Sequence, residues 1–208
     1  MARGHDVVLC LVTDRHRLCA EPRGFEAARR RLIDQAKWAV RSNIDLIQVR
    51  ERDLETADLA RLVSDLVRVS RGSGTRVVVN DRTDVALACD ADGVHLRHDS
   101  VRADAVRTIA PAGFLVGRSV HGLAEAAGAG PVDYLIAGTV FPSRSKPAAL
   151  PMLGLDGLAA VVQAVAVPVL AIGGITPERL DEVAATGAAG AAGIGLFIEW
   201  FDTRGRPS

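Results

Sequence analysis

The chain has 208 residues, 49% of them hydrophobic, enough for a substantial core and within the usual size of one α/β barrel. Its 25 basic residues balance 25 acidic ones, which excludes a global field able to hold nucleic acid or an anionic membrane and leaves a small molecule as the expected partner. The apolar run before Asp14 and Arg15 is too brief for a signal-peptide core or a membrane span, and Cys10, Cys19 and Cys89 lack C-x-x-C spacing, so a cytoplasmic protein without disulfides or a zinc site is expected.

In chain order, short β-branched runs at 7–14, 46–51, 76–81, 93–96, 115–120, 134–141, 167–174 and 190–197 read as strands. Helical stretches separate them. Phe25, Ala28, Leu32, Ala36 and Ala39, and then Leu59, Leu62, Val63 and Leu66, keep the spacing of helices with one buried face. Thr176, Pro177 and Glu178 read as a helix start directly after "AIGGI". Eight βα units predict a single (β/α)8 TIM barrel over 1–208. The rival, a doubly wound open sheet, calls for G-x-G-x-x-G in the first crossover, and "TDRHRLCAEPRG" lacks it. The closing segment "EWFDTRGRPS" is short and polar, which predicts a shortened last helix and an uncovered stretch of outer wall; a homo-oligomer is the expected consequence.

Barrels work at the C-terminal ends of their strands, so polar residues there are the candidates. Gln48, Arg50 and Arg52 are spaced by two and predict two cations converging on an anion, or a rim ion pair with Glu51 or Asp53. Asn80 and Asp81 end strand 3; Asp81 suits either a magnesium ion or the cap of the helix that follows. His95 and His98 differ by an odd number and predict opposite faces rather than a metal pair. Ser119 and His121 share one face of strand 5. Ser143, Ser145 and Lys146 form a hydroxyl and cation loop after strand 6. Gly173 and Gly174, with Gly193, Ile194 and Gly195, predict a backbone phosphate site, although glycines also serve tight turns and close packing.

Taken together, "IQVRERDL", "VNDRTDVALACDADGVHL", "GRSVH", "GTVFPSRSKP" and "VPVLAIGGITPERL" resemble the thiamine phosphate synthase and TenI superfamily over nearly the whole chain. The resemblance implies one of two activities on a phosphorylated thiazole. Synthases of this kind couple a pyrimidine diphosphate to thiazole phosphate carboxylate with magnesium; the TenI branch contains tautomerases that aromatise the same carboxylate without a metal. Arg52 stands where synthases carry Lys, Ser100 where they carry a second metal Asp, and "GRSVH" resembles TenI, whose acid and base matches His121. Asn80, Asp81, Ser143, Ser145 and Lys146 resemble the synthase instead. The expectation drawn is a metal-independent tautomerase with His121 moving the proton, Ser119 beside it and Arg50 or Arg52 steadying the carboxylate. No cofactor is expected in that case, and Mg2+ on Asp81 in the alternative of a synthase. A non-catalytic sensor of a thiamine precursor is the third reading.

Overall fold

A computed structural model describes residues 7–19, 24–142 and 152–204. In chain order it comprises β1 (Val8–Val12), α1 (Arg15–Leu18), α2 (Phe25–Arg41), β2 (Leu46–Val49), α3 (Thr56–Ser70), β3 (Arg76–Asn80), α4 (Thr83–Ala88), β4 (Gly93–Leu96) and α5 (Ala103–Arg107). It continues with β5 (Leu115–Val120), α6 (Leu123–Ala127), β6 (Tyr134–Gly138), α7 (Gly154–Ala164), β7 (Val169–Ile172), a 3-10 turn at Pro177–Arg179, α8 (Leu180–Ala185), β8 (Gly190–Gly193) and α9 (Gly195–Arg204). The strands form a closed parallel barrel in the order β1 to β8, which is the (β/α)8 fold and excludes the open sheet.

The chain divides into two compact units, one built from Leu96–Gly193 with the start of β1 up to Leu9, the other from Cys10–His95 with the chain from Ile194 onward. In the second, β1, β2, β3 and β4 are paired in register, Val12 opposite Gln48, Gln48 opposite Val78 and Asn80 opposite His95. Paired residues of a parallel sheet project to the same side, so Gln48, Asn80 and His95 share one face. The helical spacing of α3 is realised: Leu59, Leu62, Val63 and Leu66 are all buried. In the first unit, β5 through β8 are paired in the same way, with Ser119 opposite Ile136 and Ile172 opposite Ala192.

Three expectations about the elements change. The first strand stops at Val12 because Asp14 caps a short helix, its carboxylate accepting from the Arg17 N–H at 3.0 Å. The run 190–197 is strand only to Gly193. Leu196 with Trp200, and Phe197 with Phe201, are four apart, so the remainder winds into α9 and buries Leu196, Phe197 and Phe201. The last helix therefore has ten residues, its first turn drawn from the segment assigned to the strand. Finally, "TPERL" opens not one helix but a three-residue 3-10 turn followed by the six-residue α8, and Thr176 makes no side-chain cap. So short a helix adds little dipole to an anion site there. Among the described residues no helix is long and apolar enough to cross a membrane.

Candidate active site

In the unit containing β2 and β3, the Gln48 side chain is 4% exposed and its Nε2 donates to Asn80 Oδ1 at 2.9 Å. The shared face of the sheet brings the two amides together at the strand ends. Arg50 lies just past β2, half-buried, and its backbone N–H donates to the buried Thr13 hydroxyl at 2.9 Å. Arg52 is exposed in a turn, because β2 ends at Val49 and the alternation that would have aligned it with Arg50 does not continue. The acids between these arginines are taken by a residue the sequence reading passed over. Arg15 donates through its backbone N–H and Nη1 to Glu51, at 3.1 and 3.0 Å, and through Nη1 and Nη2 to the two oxygens of Asp53, both at 2.6 Å. His16 Nε2 adds a 2.9 Å contact to Asp53.

These contacts set the charges. Burial pushes the Glu51 carboxyl above its usual pKa, against the pull of hydrogen bonds from Thr13 and Arg15. The bonds from Arg15 and then His16 hold the half-exposed Asp53 well below the usual carboxylate range. A basic residue one step past the first strand was the available signal for Arg15, since that position too lies at a strand's C-terminal end.

In the other unit, Ser119 is half-buried on β5 and His121 is the first residue beyond it, with its side chain 38% exposed. The His121 ring Nδ1 lies 3.1 Å from Glu125 Oε2 on α6, and the His121 backbone N–H donates to the same oxygen at 2.9 Å. His98 meets the His121 ring edge-on, centroids 4.8 Å apart. His95 is instead fully buried within β4.

At the end of β7 the glycines have a steric reason. Gly173 and Gly174 have φ of 101° and 63°, a region side chains rarely adopt, and a Cβ on Gly174 would stand 2.4 Å from the Pro142 carbonyl oxygen. A Cβ on Gly173 would meet Thr139 Cγ2 at the same distance. Close packing thus demands both residues whether or not an anion binds. The Gly173, Gly174 and Ile175 N–H groups nevertheless donate no hydrogen bond among the described residues, which leaves three successive donors available. Gly193 ends β8; Ile194 and Gly195 lead into α9, where Arg17 Nη2 stands 3.0 Å from the Cβ position of Gly195. Ser143, Ser145 and Lys146 lie outside the described residues.

The donors suit one kind of metal. Asp81 follows β3 in a left-handed conformation, φ 63°, which Asp tolerates, and it does not cap α4, whose N-cap is Arg82. Asp99 is held by Arg97 at 2.6 Å, and Ser100 Oγ accepts the Arg97 N–H. Among the described residues no group of three His, Cys, Asp or Glu side chains is placed to hold a metal. What fits is a magnesium ion that takes one carboxylate and fills its other positions with diphosphate oxygens and water.

A closed parallel barrel of eight βα units is the class of fold whose enzymes carry their sites at the C-terminal strand ends. Within that class, the chain belongs to the thiamine monophosphate synthase (TMP-TENI) family, which matches residues 9–197. It is 37% identical to the "Putative thiamine-phosphate synthase" of Geobacter sulfurreducens over 97% of this chain and 91% of the relative. It is 42% identical to the "Thiamine-phosphate synthase" of Methanoregula boonei over 78% and 76%. The structure of "Thiamine phosphate pyrophosphorylase from Pyrococcus furiosus" superimposes with a TM-score of 0.74 at 34% identity, covering 91% of this chain and 86% of that one. An N-acetylmannosamine-6-phosphate 2-epimerase from Clostridium perfringens, at 19% identity and a TM-score of 0.64, shares the fold alone.

These relatives overturn the expectation of a tautomerase, and with it the assignment to the isomerases: they are named as synthases, which are transferases. Arg52, Ser100 and "GRSVH" had together pointed to the tautomerase. The histidine of that motif is exposed, and its Nδ1 lies 3.1 Å from Glu125 Oε2 one helical turn onward.

Proposed function

We propose that this protein is a thiamine phosphate synthase. The observation that carries the reading is 37% identity to a protein named as such along almost the entire chain. In the reaction, the thiazole ring nitrogen forms a bond to the exocyclic methylene of the pyrimidine as that carbon's bond to diphosphate oxygen breaks. Diphosphate leaves, and a thiazole carboxylate departs as CO2 with a proton taking its place.

The residues at the strand ends suit this chemistry. Arg50 and Arg52 hold the diphosphate, the guanidinium fork matching its oxygens. Arg15 assists by occupying Glu51 and Asp53, the acids that would otherwise compete for them. Gln48 and Asn80 orient each other and present the remaining amide donors to the pyrimidine substrate. Asp81 is the carboxylate that would hold a magnesium ion, whose positive charge would offset the negative charge of the diphosphate. Ser143, Ser145 and Lys146 are assigned to substrate binding by the resemblance of "GTVFPSRSKP" to the synthases alone. The thiazole phosphate is bound by the backbone of the Gly173–Gly174 turn.

The test is to supply purified protein with both substrates. Magnesium-dependent release of one diphosphate per thiamine phosphate formed, stopped by a chelator, is expected. A protein that turns over neither substrate under those conditions is not a synthase.

A further inference from the structure

The turn after β7 is braced from outside by one side chain. Arg179, half-buried in the 3-10 turn, donates through Nη1 to the Gly174 carbonyl at 2.9 Å, and its guanidinium lies 4.4 Å above the Phe141 ring. The Phe141 N–H in turn donates to the Gly173 carbonyl at 3.0 Å, and the Val140 N–H to the Ile172 carbonyl at 2.9 Å. Both carbonyls of the glycine pair are therefore committed, while the N–H groups of Gly173, Gly174 and Ile175 donate to no group among the described residues.

That asymmetry has a geometric consequence. A trans peptide is planar, so its C=O and the next N–H point in opposite directions. Holding the Gly174 carbonyl toward Arg179 aims the Ile175 N–H the other way, and holding the Gly173 carbonyl toward Phe141 does the same for the Gly174 N–H. Glycine is free to rotate about both backbone bonds, so without an external anchor these peptides can turn over. The two anchored carbonyls together hold both successive donors away from the Arg179 and Phe141 side.

We propose that Arg179 is a positioning residue for phosphate: by anchoring the Gly174 carbonyl and stacking on Phe141, it fixes the N–H groups of 174 and 175 as a receptor for a phosphate monoester. The inference rests on reading this turn as the thiazole phosphate site. It gives the site its selectivity for the phosphorylated over the dephosphorylated thiazole, because only the phosphate needs those donors.

The experiment compares Arg179→Met, which keeps a long unbranched apolar arm but no donor, with Arg179→Lys, which keeps a donor. Binding of inorganic phosphate, thiazole phosphate and the corresponding thiazole alcohol is measured by calorimetry. Arg179→Met should weaken both phosphate ligands about tenfold, on the scale of one hydrogen bond to a charged group, and leave the alcohol unchanged. Arg179→Lys should recover most of the loss, which a purely structural defect would not allow. In turnover, the Met variant should raise KM for thiazole phosphate with kcat nearly unchanged. Phe141→Leu, which removes the ring and spares the arginine, should cost roughly threefold and serves if Arg179→Met does not fold. Unchanged phosphate affinity in the folded variants, equal loss of phosphate and alcohol, or no phosphate binding by the unmodified protein overturns the proposal. Phosphate binding through Arg179 without synthesis would remove the synthase reading alone; synthesis with an indifferent Arg179 would remove this inference alone.

Discussion

The strand ends of β2 and β3 and the turn after β7, the two proposed anion contacts, are built by opposite means. The first relies on side chains, two arginines beside a mutually bonded Gln48 and Asn80, with a third arginine engaging the neighbouring acids. The second relies on backbone, a glycine pair whose carbonyls are anchored and whose N–H groups are not. Charge placed on side chains can be read one residue at a time, but its availability depends on partners distant in sequence. Backbone donors carry little trace in residue type, and their orientation is decided by packing.

The largest effect should come from the side-chain region. Arg50→Met is expected to lower kcat/KM by about 10²–10³-fold, as loss of a preorganised donor to developing charge does, with unfolding free energy little changed because the Arg50 backbone N–H still bonds Thr13. Steady-state kinetics beside a urea titration reads both. A large stability loss would mean that Arg50, like Arg15, is chiefly structural.

The backbone region should fail in the reverse manner. Gly174→Ala must place a Cβ 2.4 Å from the Pro142 carbonyl oxygen at a φ of 63°, so it should cost roughly 2–3 kcal/mol of stability before any question of binding arises. Thermal unfolding checks this directly. A variant as stable as the parent would show that 139–142 gives way easily, and would weaken the view of this turn as rigidly held.

The two regions also explain what was legible. The repeated βα pattern exposed the barrel and put Gln48 and Asn80 at the ends of their strands, because strand geometry is local, whereas the register that sets them on one face is tertiary. The same rule misplaced Arg52, since nothing local announces that β2 ends three residues earlier. Glu51 and Asp53 looked like partners for the arginines beside them; their actual partner is Arg15, 36 residues upstream of Glu51, a pairing that only the barrel creates. Gly173 and Gly174 were noticed, but the pressure from Thr139 and Pro142 that requires them, and the hold of Arg179, are tertiary facts. The choice between transferase and isomerase turned on Arg52, Ser100 and His121, single positions whose residue types both activities on this scaffold can accommodate.

A smaller effect should follow from Gln48→Leu. Removing the amide leaves Asn80 Oδ1 without its donor in a partly buried place, which should cost about 1–2 kcal/mol. Urea midpoints for Gln48→Leu, Asn80→Leu and the double variant would show a double loss smaller than the sum of the singles. Simple additivity would mean that the two amides act independently.

The smallest effect sits at the rim of the side-chain region and depends on pH. Glu51 and Asp53 share Arg15, yet their titrations pull stability in opposite directions. The folded-state pKa of Asp53 is depressed, so its pair with Arg15 stabilises the fold above the ordinary carboxylate range and is lost as pH falls well below it. Glu51 is raised by burial, so the folded chain takes up that proton before the unfolded chain does, and stability from this group grows as pH falls from neutral toward the unfolded pKa. Comparing unfolding midpoints from neutral down to about pH 3, Asp53→Asn should flatten the acid loss and Glu51→Gln should remove the gain that precedes it. The Asp53 contribution is exposed and should shrink in high salt, whereas the buried Glu51 contribution should not. If both variants move the profile in the same direction, Arg15 is not dividing its charge between a buried and an exposed acid.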